Sequence, residues 1–129
     1  MNNKILVIDD DETVRQAFTL ALEKTTYGVD TADCGETGLE KFAAGKFLLV
    51  FLDMKMPGIN GAETLRQIRK KNASIPIYIV TAFHKEFFEE LKAVKNDGLS
   101  FQLVRKPLTF EEIILIADTV LGEKKFATY

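Results

Sequence analysis

The chain has 129 residues, 47% of them hydrophobic and 28% charged, with a formal net charge of -2. That is the size and composition of one globular domain able to bury its own core, and so small a charge gives no general attraction for nucleic acid or an anionic membrane. One cysteine, Cys34, excludes an intramolecular disulfide, and one histidine, His84, excludes a multi-histidine metal centre within the chain.

Met1-Asn2-Asn3-Lys4 leads into Ile5-Leu6-Val7-Ile8, a run too short for a signal-peptide core but suited to a buried strand. Acids follow at once, Asp9-Asp10-Asp11-Glu12. From Asp11 to Lys24, Val14, Phe18 and Leu22, with Ala17 and Ala21, recur at helical spacing, and Asp11 stands where a helix cap belongs. Gly28 to Ala32 is a weaker strand candidate, and Cys34 falls in the loop after it with no feature marking it as reactive. Glu36 to Ala44 places Leu39, Phe42 and Ala43 on one side of a second helix. Phe47 to Leu52 is a second continuous apolar run, too short to span a bilayer, and Asp53 ends it. Ala62 to Lys71 sets Leu65 and Ile68 together, with Arg66, Arg69 and Lys70 elsewhere. Ile77-Tyr78-Ile79-Val80 is a third apolar run and ends in Thr81. Glu86 to Asn96 carries Phe87, Phe88, Leu91 and Val94 at helical spacing. Phe101 to Val104 is the last and weaker strand, followed by Lys106-Pro107. Thr109 to Leu121 opens with the spacing of a capping box, Thr109-Phe110-Glu111-Glu112. A helix can bury only part of its run Ile113-Ile114-Leu115-Ile116, so one or two of these residues are expected outside, as surface for a partner or a second copy.

Five strand signals alternate with five helical ones, with no linker or repeat between them. This predicts an α/β fold: a parallel sheet with right-handed crossovers and helices on both faces. Ligands of such sheets bind beyond the carboxyl ends of the strands. Asp9-Asp10, Asp53, Thr81 and Lys106 follow four of the five strands and therefore converge at one edge. Three carboxylates there repel, by about 4 kcal/mol per pair near 4 Å at an effective dielectric near 20. Either some are protonated or a cation neutralises them. Oxygen-only ligands favour a hard cation such as Mg²⁺. One carboxylate is then left as a nucleophile toward phosphorus, with a lysine ammonium and a hydroxyl to carry phosphate charge. Singly, each feature has an ordinary reading: acid pairs cap helices, a strand-end threonine is structural, a Lys-Pro pair is a loop. Four of them at four strand ends favour a site.

In their order, Val7-Ile8-Asp9-Asp10, Leu52-Asp53-Met54-Lys55-Met56-Pro57-Gly58 with Asn60-Gly61, Ile79-Val80-Thr81-Ala82 and Val104-Arg105-Lys106-Pro107 resemble the receiver domains of bacterial response regulators. The resemblance runs from Lys4 to about Leu121. It implies a flavodoxin-like, doubly wound, five-stranded parallel sheet with five helices, a receiver unit over residues 1–122 and a short tail over 123–129. It further implies a cytoplasmic phosphorylation switch of a two-component system, a phosphoacceptor rather than an enzyme. Asp53 would accept a phosphoryl group from a sensor histidine kinase or a histidine phosphotransfer protein, with Lys106 contacting the phosphate and Thr81 as the switch hydroxyl. Asp10, Asp53 and the backbone carbonyl of Lys55 would hold Mg²⁺ directly, and Asp9 through water. The bond before Pro107 would be cis. The surface near the fourth helix, fifth strand and fifth helix would then change, to control an output partner or a homodimer, with no nucleic-acid or membrane binding by this chain.

Three features depart from the family pattern or bear on it. Between Thr81 and Lys106 the chain is about three residues longer, with the surplus in the fourth helix and the loop around Asn96 to Gln102. The position three before Lys106, often an aromatic switch in the family, is Leu103, with Phe101 displaced by two. Lys55 and Phe83, two residues after Asp53 and Thr81, are both large and are expected to shield the acyl phosphate from water. His84, beside Phe83, is read as inert. Among other readings, an FMN binder would need a Ser/Thr/Gly-rich phosphate loop where Asp9-Asp10-Asp11-Glu12 stands. A haloacid-dehalogenase-like phosphatase would carry its nucleophile after the first strand in a different motif. A pseudo-receiver, binding without phosphorylation, is opposed by the intact acids, Thr81 and Lys106.

Overall fold

In the computed structural model, which describes residues 3–82 and 85–122, five strands form one sheet with every neighbouring pair parallel. The strands are β1 (Lys4–Ile8), β2 (Gly28–Ala32), β3 (Leu49–Asp53), β4 (Ile77–Thr81) and β5 (Gln102–Arg105), in spatial order β2-β1-β3-β4-β5. Between them run α1 (Glu12–Leu22), α2 (Gly35–Ala44), α3 (Gly61–Lys71), α4 (Phe88–Asn96) and, at the end, α5 (Phe110–Leu121). This is the doubly wound, flavodoxin-like α/β fold that the alternation predicts. Strand order reverses between β1 and β3, which opens a crevice at their carboxyl ends.

The apolar runs are continuous because both faces of the sheet are covered. Successive strand residues point to opposite faces. Leu6, Ile8, Val50, Leu52, Ile77 and Ile79 pack under α2, α3 and α4, against Leu65, Ile68, Leu91 and Val94. Ile5, Val7, Leu49, Phe51 and Val80 pack under α1 and α5, against Phe18, Leu22, Ile113 and Ala117. The rings of Phe18 and Phe51 lie 4.7 Å apart at the centre of that second layer. Caps fix the helix starts: Asp11 accepts from the Thr13 amide, Asn60 from Glu63, and Thr109 and Glu112 close a reciprocal capping box. Among the described residues, no helix is long and apolar enough to cross a membrane.

Several elements differ from the sequence expectation. The third strand begins at Leu49, not Phe47. The buried Phe47 ring leaves the sheet to stack on Phe42, at 6.4 Å between centroids, and Leu48 is exposed. The fourth helix begins as a single 3-10 turn, Lys85–Phe87, because its cap position is Phe87, which has no side-chain oxygen to accept from the first amides. The last strand is displaced by one residue, with Phe101 packed against the α2–α4 side of the core just ahead of it. Ala43 is exposed rather than inward. Arg69, placed by its spacing away from the core, is 8% exposed. Its guanidinium donates to the Ser100 carbonyl at 2.7 Å and 3.1 Å and to the Asn72 carbonyl at 3.2 Å. With the Arg66–Asp97 pair at 2.8 Å, it clamps the long α4–β5 segment onto α3. Within the run Ile113 to Ile116, Ile113 is buried and Leu115 is 64% exposed.

Candidate phosphoacceptor site

Parallel pairing sets Ile8 beside Leu52, so the next residues, Asp9 and Asp53, emerge together from the two central strands. Asp9 is held on every side. Its amide donates to the Ala32 carbonyl (3.0 Å), its Oδ1 accepts from the Asp11 amide (2.9 Å), and its carbonyl accepts from Nη1 of Arg15 (2.8 Å). The side chain of Lys106 reaches across from the end of β5. Its Nζ lies 2.9 Å from Oδ2 of Asp9 and 3.2 Å from Oδ1 of Asp53. The Lys106 amide donates to the Thr81 carbonyl at 2.8 Å, which ties the tips of β4 and β5 together, and the Lys106-Pro107 peptide is cis.

Asp53 is 6% exposed and Asp9 2%, whereas Asp10 is exposed. One carboxylate oxygen from each of the three lies within 4.8 Å of the others. Burial first, and then repulsion from Asp9, push Asp53 up to about 7, although Lys106 pulls it down. Burial pulls the Lys106 ammonium down, but its bonds and attraction to Asp9 and Asp53 outweigh this and hold it above the ordinary lysine value. With all three acids ionised, one ammonium leaves two negative charges unmatched. A compact all-oxygen donor set short of two positive charges fits a hard dication such as Mg²⁺.

The β3–α3 loop shapes the open side. The Gly61 amide donates to the Met54 carbonyl at 2.8 Å, and a Cβ on Gly61 would stand 2.5 Å from the Asp53 carbonyl oxygen, so no larger residue fits without moving the loop. Glu36 accepts from the Ile59 amide at 3.2 Å. Its own amide and that of Ile59 hold its carboxyl below the usual range. Asn60 caps α3 and also donates from Nδ2 to both carboxylate oxygens of Glu90 on α4, at 2.9 Å and 3.1 Å. The resulting cleft, about 500 Å³, is lined by Asp10, Asp53, Lys55, Met56, Ala82 and Lys106, among others.

Of the residues singled out in the sequence, Asp9, Asp10, Asp53 and Lys106 come together here. Lys55 is exposed at the cleft mouth. Thr81 ends β4 and is 3% exposed, just behind Ala82, which forms the cleft wall. Leu103 is removed from the cleft, midway along β5 opposite Ile79, and 41% exposed. Phe83 and His84 lie outside the described residues. Three residues of the site escape sequence reasoning: Arg15, Glu36 and Asn60 in its contact with Glu90. Arg15 alone carries a faint signal, being a cation in the N-terminal half of a helix, where the dipole disfavours it unless a carbonyl or acid is near. Cys34, read as a loop residue, caps α2 by accepting from the Thr37 amide at 3.4 Å.

The response regulator receiver domain family matches residues 5–118. Among curated relatives, the transcriptional regulatory protein ResD of Bacillus subtilis is 32% identical over 98% of this chain and 51% of its own length. The alkaline phosphatase synthesis transcriptional regulatory protein PhoP of Bacillus subtilis is 39% identical over 67% of this chain and 36% of its own. The chain thus spans about half the length, or less, of these relatives. Among solved structures, the response regulator TrrA of Thermotoga maritima, in complex with Mg²⁺-BeF, is 34% identical, with a TM-score of 0.78 over 94% of this chain and all of that one. A CheY-like receiver domain protein of Methanospirillum hungatei, 24% identical, matches the fold with a TM-score of 0.83 over 98% of this chain and 99% of that one. With the family pattern running from β1 into α5 and the acids at the strand ends, the chain belongs to the response regulator receiver domains of two-component systems.

Proposed function

We propose that the chain is a phosphorylation-operated switch in which Asp53 takes a phosphoryl group from the phosphohistidine of a sensor histidine kinase or a histidine phosphotransfer protein. The observation that carries this reading is the buried Asp53 carboxylate, in contact with Lys106 and clustered with Asp9 and Asp10 beside an open cleft. An Asp53 oxygen attacks phosphorus in line, the P–N bond breaks, and its electron pair returns to the imidazole. Lys106 steadies the carboxylate beforehand and donates to a phosphoryl oxygen as charge gathers there. When bound, Mg²⁺ supplies a hard dication that neutralises the acids and polarises the phosphoryl group. Asp10, Asp53 and the Lys55 carbonyl would hold it directly, and Asp9 through water. The Mg²⁺-BeF complex of the Thermotoga maritima relative supports this choice of ion.

The new dianion draws the Thr81 hydroxyl toward it, and the surface of α4, β5 and α5 shifts to engage an output partner or a second copy. Lys55 and Phe83 shield the acyl phosphate from water. Residues 1–122 act as the receiver unit and 123–129 as a tail, in the cytoplasm.

Intact-mass measurement after incubation with Mg²⁺ and acetyl phosphate tests the chemistry. A base-labile phosphoryl adduct that requires Mg²⁺ and is absent from Asp53→Asn is the expected result. No adduct with any donor or divalent cation would sink it and favour a binding module that works without phosphorylation.

A further inference from the structure

The turn from β3 into α3, residues 54–60, borders the open side of the site, where Lys55, Met56 and Pro57 line the cleft. Met54 and Met56 are buried, whereas Lys55, Pro57 and Gly58 are exposed. Two carboxylates from different helices grip the far end of this turn. Glu36, in the first turn of α2, accepts from the Ile59 amide at 3.2 Å. Gly58, at φ +78°, leaves room for it, since a Cβ there would stand 2.5 Å from Oε2 of Glu36. A Cβ on the buried Gly35 would stand 2.7 Å from the Ile59 side chain, so the start of α2 lies directly against the turn. On the other side, Nδ2 of Asn60 donates to both carboxylate oxygens of Glu90 on α4, at 2.9 Å and 3.1 Å. Oδ1 of Asn60 accepts from the Glu63 amide at 3.0 Å, so both ends of that side-chain amide are committed. Gly61 follows at once, packed against the Asp53 carbonyl.

We propose that Glu36 and Glu90 are positioning residues for the phosphoacceptor site, a two-sided clasp that sets the β3–α3 turn for Mg²⁺ binding. Neither belongs to the cluster of Asp9, Asp10 and Asp53, and neither lines the cleft. They act through the backbone between Asp53 and Gly61. That stretch carries Lys55, whose carbonyl is one of the proposed direct donors. A carbonyl donor is placed by its backbone alone, and Mg²⁺ tolerates little departure from octahedral geometry. Groups that orient a metal's donors without touching the metal govern its affinity through them. The ordinary reading of these contacts is surface hydrogen bonding and a helix cap. Both acids are exposed, so as fold-stabilising bonds alone they contribute little. Their convergence from two helices on one short turn beside the cleft favours a role in the geometry of the site. The inference deepens the proposed phosphoacceptor reading and rests on it.

Isothermal titration calorimetry with Mg²⁺ on the whole chain reads the site without any phosphoryl transfer, at about 0.15 M salt so that distant charges are screened. Glu36→Ala and Glu90→Ala are each expected to weaken Mg²⁺ binding by about tenfold, while the metal-free Tm moves by only a few degrees. Glu36→Gln keeps an oxygen to accept from the Ile59 amide and should restore most of the affinity. Asn60→Ser keeps the cap of α3 but removes the donor to Glu90, so it should match Glu90→Ala. The double variant Asn60→Ser/Glu90→Ala should lose no more than either single one, because the same contact is broken in all three. Asn60→Ser also keeps the test open if an alanine variant fails to fold. Unchanged Mg²⁺ affinity in either alanine variant overturns the clasp. A loss in Glu36→Gln as large as in Glu36→Ala does so too, since charge and not the bond would then be at work. Additive losses at 60 and 90 have the same consequence. Any of these, with the Asp53 adduct still forming in the parent, leaves the phosphoacceptor reading standing. A parent that binds no Mg²⁺ overturns the clasp and the proposed Mg²⁺ site together.

Discussion

Asp53 is an acid whose surroundings oppose its working charge. Folded, it keeps its proton up to about 7, whereas an unfolded aspartate releases it near 3.9. Between those values the folded chain binds more protons than the unfolded one, so this group's contribution to stability falls as pH rises through the window and is fully lost above about 7. Asp53→Asn removes the dependence. In the absence of divalent cations the variant should be more stable than the parent by about 2–4 kcal/mol at pH 8, with the gap closing toward pH 4. Urea unfolding at the two pH values measures this, and a gap independent of pH would refute the account of Asp53 as a strained carboxylate. Lys106 works in the opposite sense, as the cation paired with both Asp9 and Asp53. Lys106→Ala should slow adduct formation by about ten- to a hundredfold, measured by intact mass against time, while leaving the fold intact by circular dichroism.

At the scale of elements, the turn from β3 into α3 and the seam between α3 and α4 set the geometry. Gly61→Ala forces a Cβ against the Asp53 carbonyl, and backbone cannot yield as a flexible side chain would. The substitution should cost about 2 kcal/mol and, if Asp53 accepts the phosphoryl group as proposed, slow its uptake as well, because the displaced atoms belong to Asp53 itself. A loss of stability with unchanged uptake would show that the turn and the site are uncoupled. Arg69 tests the seam. Its guanidinium bonds only to backbone carbonyls among the described residues, so Arg69→Ala leaves Ser100 and Asn72 carbonyls wanting and should cost about 2–3 kcal/mol. Amide exchange should quicken in 97–101, while the cleft residues keep their protection. Local spacing exposed the helices because apolar residues recur every three or four positions. The same spacing misassigned Arg69, since a buried arginine is decided by a carbonyl thirty-one residues away, which no window of a helix contains.

Across the whole molecule, the fold and the acid cluster were legible for one reason. Parallel strands buried on both faces write themselves as apolar runs, and the chemistry sits directly after them. What holds the cluster in place was not legible. The Arg15 bond to the Asp9 carbonyl, the Glu36 bond to the Ile59 amide and the Asn60–Glu90 contact join elements that only the tertiary fold brings together. The same architecture makes the site and the stability of the domain one system. A ligand that binds only the folded state stabilises it by RT ln(1 + [L]/Kd), about 1.4 kcal/mol at tenfold excess over Kd, which for a chain of this size raises Tm by about 4–6 °C. Mg²⁺ should produce that rise in the parent, and Asp10→Asn should abolish most of it with little change in the metal-free Tm, since Asp10 is exposed. Asp53→Asn should start higher in chelator, for the electrostatic reason given above, and gain less from Mg²⁺. The Tm difference between parent and Asp53→Asn therefore shrinks as Mg²⁺ is added at pH 8. Parallel melting curves across the titration would mean that the acids repel one another without forming a cation site.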